Sequence, residues 1–113
     1  NRAPCSGVVQ GLYYQKGRFL NAALSKAGRE NEQNWVWIRA ESGADVVVSQ
    51  VAGLIARRIV CWPRPGDSLI RGERFGLIRF GSRLDVYVPL NAEVLVSKGD
   101  HVFAGETSLC RLI

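Results

Sequence analysis

Pro65-Gly66-Asp67-Ser68-Leu69-Ile70-Arg71-Gly72-Glu73 returns as Lys98-Gly99-Asp100-His101-Val102-Phe103-Ala104-Gly105-Glu106. Gly66, Asp67, Gly72 and Glu73 each recur 33 residues downstream. In each copy Gly-Asp supplies a turn: the glycine tolerates positive φ, and the Asp carboxylate can bond the backbone two residues on. The second glycine bends the chain again before a short apolar strand. That strand is Phe75-Gly76-Leu77-Ile78 after the first copy and Leu109-Cys110-Arg111-Leu112-Ile113 after the second. Two copies are too few for a solenoid, which needs at least about three. They predict a pair of related β units packed on each other.

Outward from the repeats the chain continues to read as strand. Cys5 to Tyr13 is one, with bends at Gly7 and Gly11. Trp35-Val36-Trp37-Ile38 is apolar on both faces, the mark of a central strand. Glu41-Ser42-Gly43-Ala44 turns it into Asp45-Val46-Val47-Val48, a hairpin. Leu84, Val86 and Val88 alternate with Asp85 and Tyr87, a half-buried strand that Pro89 ends. Leu20 to Ala27 reads as a short helix, with Asn21 as N-cap and Gly28 just past its end. Residues 29–34 are polar and loop-like, so 17–34 forms a long functional or mobile excursion. The expected fold is one mainly-β domain over 1–113, sandwich or barrel-like, with one short helical excursion.

With 113 residues, 47% of them hydrophobic and 22% charged, the chain can bury a modest core and is not a disordered segment. A net charge of +5 favours an anionic partner, whether nucleic acid, membrane surface or phosphate-bearing substrate, without choosing among them. Cys5, Cys61 and Cys110 are far apart and odd in number. That spacing argues against zinc or any other metal site and against a secreted disulfide framework. They read as small buried side chains in a reducing compartment. No signal peptide opens the chain, and its longest apolar stretch, 46–62, is interrupted by Ser49, Gln50, Arg57 and Arg58. A start at Asn1, with no Met anywhere, leads us to expect a fragment or a processed piece.

The Gly-Asp pattern resembles the barrel-sandwich hybrid hairpins of biotinyl and lipoyl domains. Those carriers hold their cofactor on a Lys at a hairpin tip, and no Lys stands at an equivalent tip here. A longer resemblance lies in Val51-Ala52-Gly53-Leu54-Ile55-Ala56-Arg57-Arg58-Ile59-Val60-Cys61 and in the run from Gly72 to Pro89, which contains Arg79-Phe80-Gly81-Ser82-Arg83. Asn1-Arg2-Ala3-Pro4, Gly17-Arg18-Phe19-Leu20-Asn21-Ala22-Ala23 and Glu30-Asn31-Glu32 fit in order and spacing. Together they resemble the C-terminal half of the short bacterial phosphatidylserine decarboxylases. Gln33 stands where that family usually has Arg.

The resemblance implies that Gly81-Ser82 is a self-cleavage site. Ser82 would attack the Gly81 carbonyl, β-elimination would cut the chain, and residue 82 would become a pyruvoyl cofactor. The products would be a β chain ending at Gly81 and an α chain running from 82 to 113, held as a heterodimer. Catalysis would convert phosphatidylserine to phosphatidylethanolamine, a step of phospholipid biosynthesis, through a Schiff base on that group. It would take place at an anionic membrane surface on the cytoplasmic side of the bacterial membrane. The residue types suit the chemistry: glycine leaves the carbonyl open and serine supplies the nucleophile. Arg57, Arg58, Arg79 and Arg83 are candidates for holding the lipid phosphate or carboxylate. Arg57 and Arg58, read as strand neighbours, would face opposite sides.

The resembled family places a processing Asp and His upstream of Asn-Arg-x-Pro, in an N-terminal part that would partner this chain. Alone, the chain is therefore expected neither to cleave itself nor to decarboxylate. His101, the one histidine, reads as an exposed turn residue, and Trp35, Trp37 and Trp62 as core or rim. Two rival readings are a non-catalytic barrel-sandwich binding or carrier module and a basic nucleic-acid-binding β domain. The absent tip Lys weighs against the first. The absence of an aromatic-basic RNA-binding motif weighs against the second, so nucleic acid is not an expected partner.

Overall fold

The structure is a computed structural model that describes residues 1–55 and 57–113; Ala56, inside the 51–61 segment quoted above, lies outside the described residues. The described chain is mainly β. Its strands are β1 (Gly7–Gln15), β2 (Gln33–Ala40), β3 (Asp45–Val51), β4 (Ile59–Cys61), β5 (Ser68–Leu69), β6 (Gly76–Ile78), β7 (Arg83–Tyr87), β8 (Glu93–Val94) and β9 (Cys110–Arg111). One helical turn, α1 (Ala27–Glu30), interrupts them. A five-stranded sheet runs β5-β1-β2-β3-β7, with β4-β6 and β8-β9 as separate two-stranded ribbons. All pairings between these strands are antiparallel.

The local reasons are legible. Gly43, at φ 89°, closes the β2–β3 hairpin, and its N–H donates to the Ala40 carbonyl at 2.9 Å. Between Val9 and Gly11 the β1–β2 register slips by one residue at Gln10, a bulge that bends the strand at the predicted Gly11. Alternation then sorts the side chains. Val36 and Ile38 of β2, Val48 of β3, Val9 of β1 and Leu69 of β5 close on Phe75 and Ala3 to form the core. Each large side chain among these contributes roughly 1.5–3 kcal/mol by leaving water. The second β2 face carries Trp35 and Trp37, which stay partly exposed. The strand is central in the sheet, but beyond Gln33 only one of its faces is fully buried. Trp35 stacks on Tyr87 at 5.6 Å, and Trp62 is exposed, so all three tryptophans are rim residues.

The excursion differs from its reading. Leu20 to Lys26 is not helical, because Asn21 turns the chain: its Oδ1 accepts from the Ala23 N–H at 3.0 Å and its carbonyl from the Leu24 N–H at 3.0 Å. The helical turn comes later, and Gly28 lies inside it. Nor are residues 29–34 a solvated loop, since Asn31, Gln33 and Asn34 are buried. Their carboxamides are occupied by backbone and by polar neighbours, which is what lets such groups leave water. Gln33 Oε1 accepts from Ser49 Oγ at 2.6 Å, while its Nε2 donates to the Gly28 carbonyl at 3.1 Å. Asn34 Nδ2 donates to Gln50 Oε1 at 3.0 Å. The excursion thus folds down on one end of the sheet's second face.

Both Gly-Asp turns form, with Gly66, Gly72, Gly99 and Gly105 all at positive φ. The carboxylates bond backward, not forward: Asp67 accepts from the Arg64 N–H at 2.8 Å, and Asp100 from the Ser97 N–H at 2.9 Å. The copies do not bury a shared core. The first enters the sheet as β5, whereas residues 97–109 are exposed. Arg2 stands between the second bends, donating to the Gly72 carbonyl at 2.8 Å and lying against Gly105. The three cysteines are free and half-buried rather than enclosed. Burial pushes the thiols of Cys5 and Cys61 above their ordinary value.

Candidate functional site

The turn that carries Gly81-Ser82 joins β6 to β7. Gly81 adopts φ 86°, a conformation that L side chains rarely take, and space around its Cα is open. Phe80 is 90% exposed beside it, and Ser82 is half-buried immediately before β7. The β3–β7 ladder runs Gln50↔Leu84 and Val51↔Arg83. Continued two residues, it sets Gly53 opposite Gly81. The distances agree: a Cβ built on Gly53 would fall 2.1 Å from the Gly81 carbonyl oxygen.

Behind this turn the buried excursion acts as a clamp. Asn31 Nδ2 donates to the carbonyls of Ala52 at 2.7 Å and Leu20 at 2.8 Å, and Asn31 Oδ1 accepts from the Leu20 N–H at 3.0 Å. The Ala52 N–H donates to the Glu32 carbonyl at 3.0 Å. Arg83 fastens the other side. Its Nη1 donates to the carbonyls of Ala22 at 2.7 Å and Leu24 at 3.1 Å, and its guanidinium pairs with Asp85 at 2.9 Å. Gly28 leaves room for this arginine, since a Cβ there would come within 2.6 Å of Nη2. At the mouth of the excursion Tyr14 donates its hydroxyl to the Glu32 carboxylate. Partial burial, then that bond and the carboxylate's charge, push the phenol up to about 12.

The four candidate arginines therefore part company. Arg83 faces inward on carbonyls and Asp85, while Arg57, Arg58 and Arg79 are exposed. Arg57 and Arg58 lie in the β3–β4 connection, not on a strand, so the opposite-faces argument does not apply to them. Arg57 stacks its guanidinium 4.9 Å from the Phe19 ring centre and donates from Nε to the Leu54 carbonyl at 2.8 Å. His101 is exposed in the second repeat, edge-on to Phe103. Among the described residues no group of three or more His, Cys, Asp or Glu could hold a metal ion. Two shallow surface depressions, one beside Cys5 and Arg71 and one beside Trp62 and Phe75, include neither Gly81 nor Ser82. Sequence reasoning missed Gly53 and the clamping side chain of Asn31. The signal for the first was the strand register, which becomes usable only once β3 and β7 are known to pair.

Residues 1–110 match the family model for phosphatidylserine decarboxylase. Among curated proteins, the phosphatidylserine decarboxylase proenzyme of Nitrosomonas europaea is 55% identical over 109 residues, covering 96% of this chain and 50% of the relative. The proenzyme of the same name from Geotalea uraniireducens is 57% identical over 109 residues (96% and 51%). That of Polynucleobacter asymbioticus is 57% identical over 112 residues (99% and 52%). No solved structure matches the chain. The chain belongs to the phosphatidylserine decarboxylase family. It spans about half the length of the curated relatives it matches.

Proposed function

We propose that this chain is the part of a phosphatidylserine decarboxylase proenzyme that carries the self-cleavage site, Gly81-Ser82. The carrying observation is the place of that dipeptide. In a chain of this family it falls at an open turn, with Gly81 at φ 86° and Ser82 leading into a paired strand. In the cleavage, Ser82 Oγ attacks the Gly81 carbonyl carbon and the peptide nitrogen leaves as an amine, giving an ester. Loss of the Ser82 α-proton expels the Gly81 carboxylate, and hydrolysis of the resulting dehydroalanine releases ammonia and leaves a pyruvoyl group. Residues 1–81 and 82–113 then belong to a β and an α chain. The pyruvoyl ketone supplies an electron sink for loss of a carboxylate as CO₂ from an aminophospholipid headgroup.

The site's own residues fit that role. Gly81 leaves the new chain end unobstructed, and the Arg83 clasp holds the first residue after Ser82. Arg57, Arg58 and Arg79 remain outward-facing and suit the lipid phosphate and carboxylate. Exposed Leu54, Ile55 (79% exposed) and Phe80 lie on the same rim, which supports peripheral association with an anionic membrane surface. Among the described residues no helix is long and apolar enough to cross a membrane.

The test uses a full-length proenzyme that carries this chain, its remaining half taken from the Nitrosomonas europaea relative. Intact mass should show two polypeptides split after Gly81, with a hydrazine-reactive carbonyl on the downstream one. Ser82→Ala should remain whole. A folded, uncut parent protein without a reactive carbonyl overturns the proposal. Arg57→Ala, Arg58→Ala or Arg79→Ala should raise KM for phosphatidylserine, and unchanged KM in all three removes the arginine assignment.

A further inference from the structure

We infer that Gly53 is the seat of the scissile carbonyl, a residue that must lack a side chain so that the Gly81 oxygen can rest against its Cα. The inference rests on reading Gly81-Ser82 as the cleavage site. The two glycines serve opposite needs. Gly81 is required for its conformation, with φ at 86° and nothing within 4 Å of a Cβ placed there. Gly53 is required for its emptiness. A Cβ on it would stand 2.1 Å from the Gly81 oxygen and 3.1 Å from the Gly81 carbonyl carbon, both backbone atoms. Carbon cannot approach a carbonyl oxygen that closely, so a methyl group at 53 must displace the scissile peptide or the wall behind it.

That wall resists displacement. Ala52, the preceding residue, is held at its N–H by the Glu32 carbonyl at 3.0 Å and at its carbonyl by Asn31 Nδ2 at 2.7 Å. Asn31 is fully buried and is itself held by the N–H and the carbonyl of Leu20. Displacement therefore falls on the turn at 80–82, where open space lies beside Gly81.

The chemistry places weight on this contact. When Ser82 Oγ adds to the Gly81 carbon, a C–O bond forms and the carbonyl oxygen takes up negative charge against the Gly53 methylene. The C–N bond then breaks, and the proton from the hydroxyl ends on the new amine, with no redox partner needed. A Cα–H···O contact is weak by itself. Its value is positional: it fixes the carbonyl plane relative to Oγ, and a misplacement of about 1 Å at a reacting atom can cost about 100-fold in rate.

The experiment uses the same full-length proenzyme, with Gly53→Ala compared against Gly43→Ala, a remote glycine with open space around it. Splitting is followed by intact mass, fold by thermal unfolding, and ester by hydroxylamine, which cuts an ester but not an amide. Gly53→Ala should slow splitting at least about 100-fold and suppress the hydroxylamine fragment, while unfolding no earlier than Gly43→Ala. Splitting within about threefold of the parent, with the fold intact, overturns the seat. So does slow splitting with undiminished ester, because the block would then lie after the acyl shift. If Gly53→Ala does not fold, or if the parent itself stays whole, the Gly53 α-proton resonances of Ser82→Ala protein decide. One displaced downfield by the adjacent carbonyl supports the seat, and ordinary shifts at both overturn it. An uncut parent with a displaced resonance would refute the cleavage reading, and with it the scissile role of the seat, while supporting the Gly53–Gly81 contact itself.

Discussion

The two Gly-Asp copies share their turns and differ in what the turns hold. In each, the glycine before Asp has positive φ and the Asp carboxylate takes the N–H three residues back, at 2.8 Å and 2.9 Å. In the first copy Leu69 enters the core at 5% exposure; its counterpart in the second, Val102, is 43% exposed. The first copy is also laced to the sheet, where Val9 donates to the Asp67 carbonyl and Ala3 to the Glu73 carbonyl. The second has β9 pairing with β8 over two residues. Local sequence dictates a turn wherever it occurs, but only a distant strand can turn that bend into buried structure.

The largest test of this contrast removes packing. Leu69→Ala should destabilise the chain by about 2–5 kcal/mol, while Val102→Ala should stay within about 0.5 kcal/mol, both read from denaturant midpoints. Equal losses would mean that the second copy is as well packed as the first. Next come the bends. Gly72→Ala should cost about 1–2 kcal/mol for placing a side chain at positive φ, and Gly105→Ala should show its cost as local opening in hydrogen exchange rather than in the global midpoint. Asp67→Ala and Asp100→Ala each delete one similar turn bond worth about 1 kcal/mol, with the same division between global and local readouts.

The smallest effect lies where neither copy reaches. Tyr14, beside Glu32, has its phenol raised to about 12 from an ordinary value of 10. The folded form thus favours the protonated phenol. Its contribution is complete below pH 10 and is lost as pH climbs from 10 towards 12. Because Tyr14 is nearly half exposed, solvent screening keeps the effect below about 1 kcal/mol. Tyr14→Phe should flatten that part of the stability–pH curve, and an unaltered curve would show that the bond to Glu32 carries no energy.

The strands were legible because apolar alternation and Gly-rich turns act within a few residues. Trp35 to Ile38, the 41–44 turn and Leu84 to Val86 all fall where the pattern sets them. The excursion was not. Asn31, Gln33 and Asn34 look solvated because carboxamides usually are, and their burial depends on partners as remote as Ser49, Gln50 and Ala52. Asn21 caps no helix: its side chain closes a turn on the Ala23 N–H, and the helical turn begins only at Ala27, with Lys26 before it. At the site, Gly81 and Ser82 stood out through their family context, whereas Arg83 read as one of four candidate lipid-binding cations. Nothing in its neighbours reveals that two carbonyls some sixty residues earlier await it.

β7 has a bearing on the fate of a severed chain. It meets β3 along Arg83–Tyr87, and Arg83 reaches across to Ala22 and Leu24. If the proposed cleavage interrupts the backbone just before that strand, residues 82–113 would lose their covalent tether and be retained by those rungs and that clasp. Unfolding, until then an event within one molecule, would become a dissociation that dilution promotes. The edge of the sheet would then serve as the joint of a two-piece enzyme, and its strength would set how dilute the assembly can become before it falls apart.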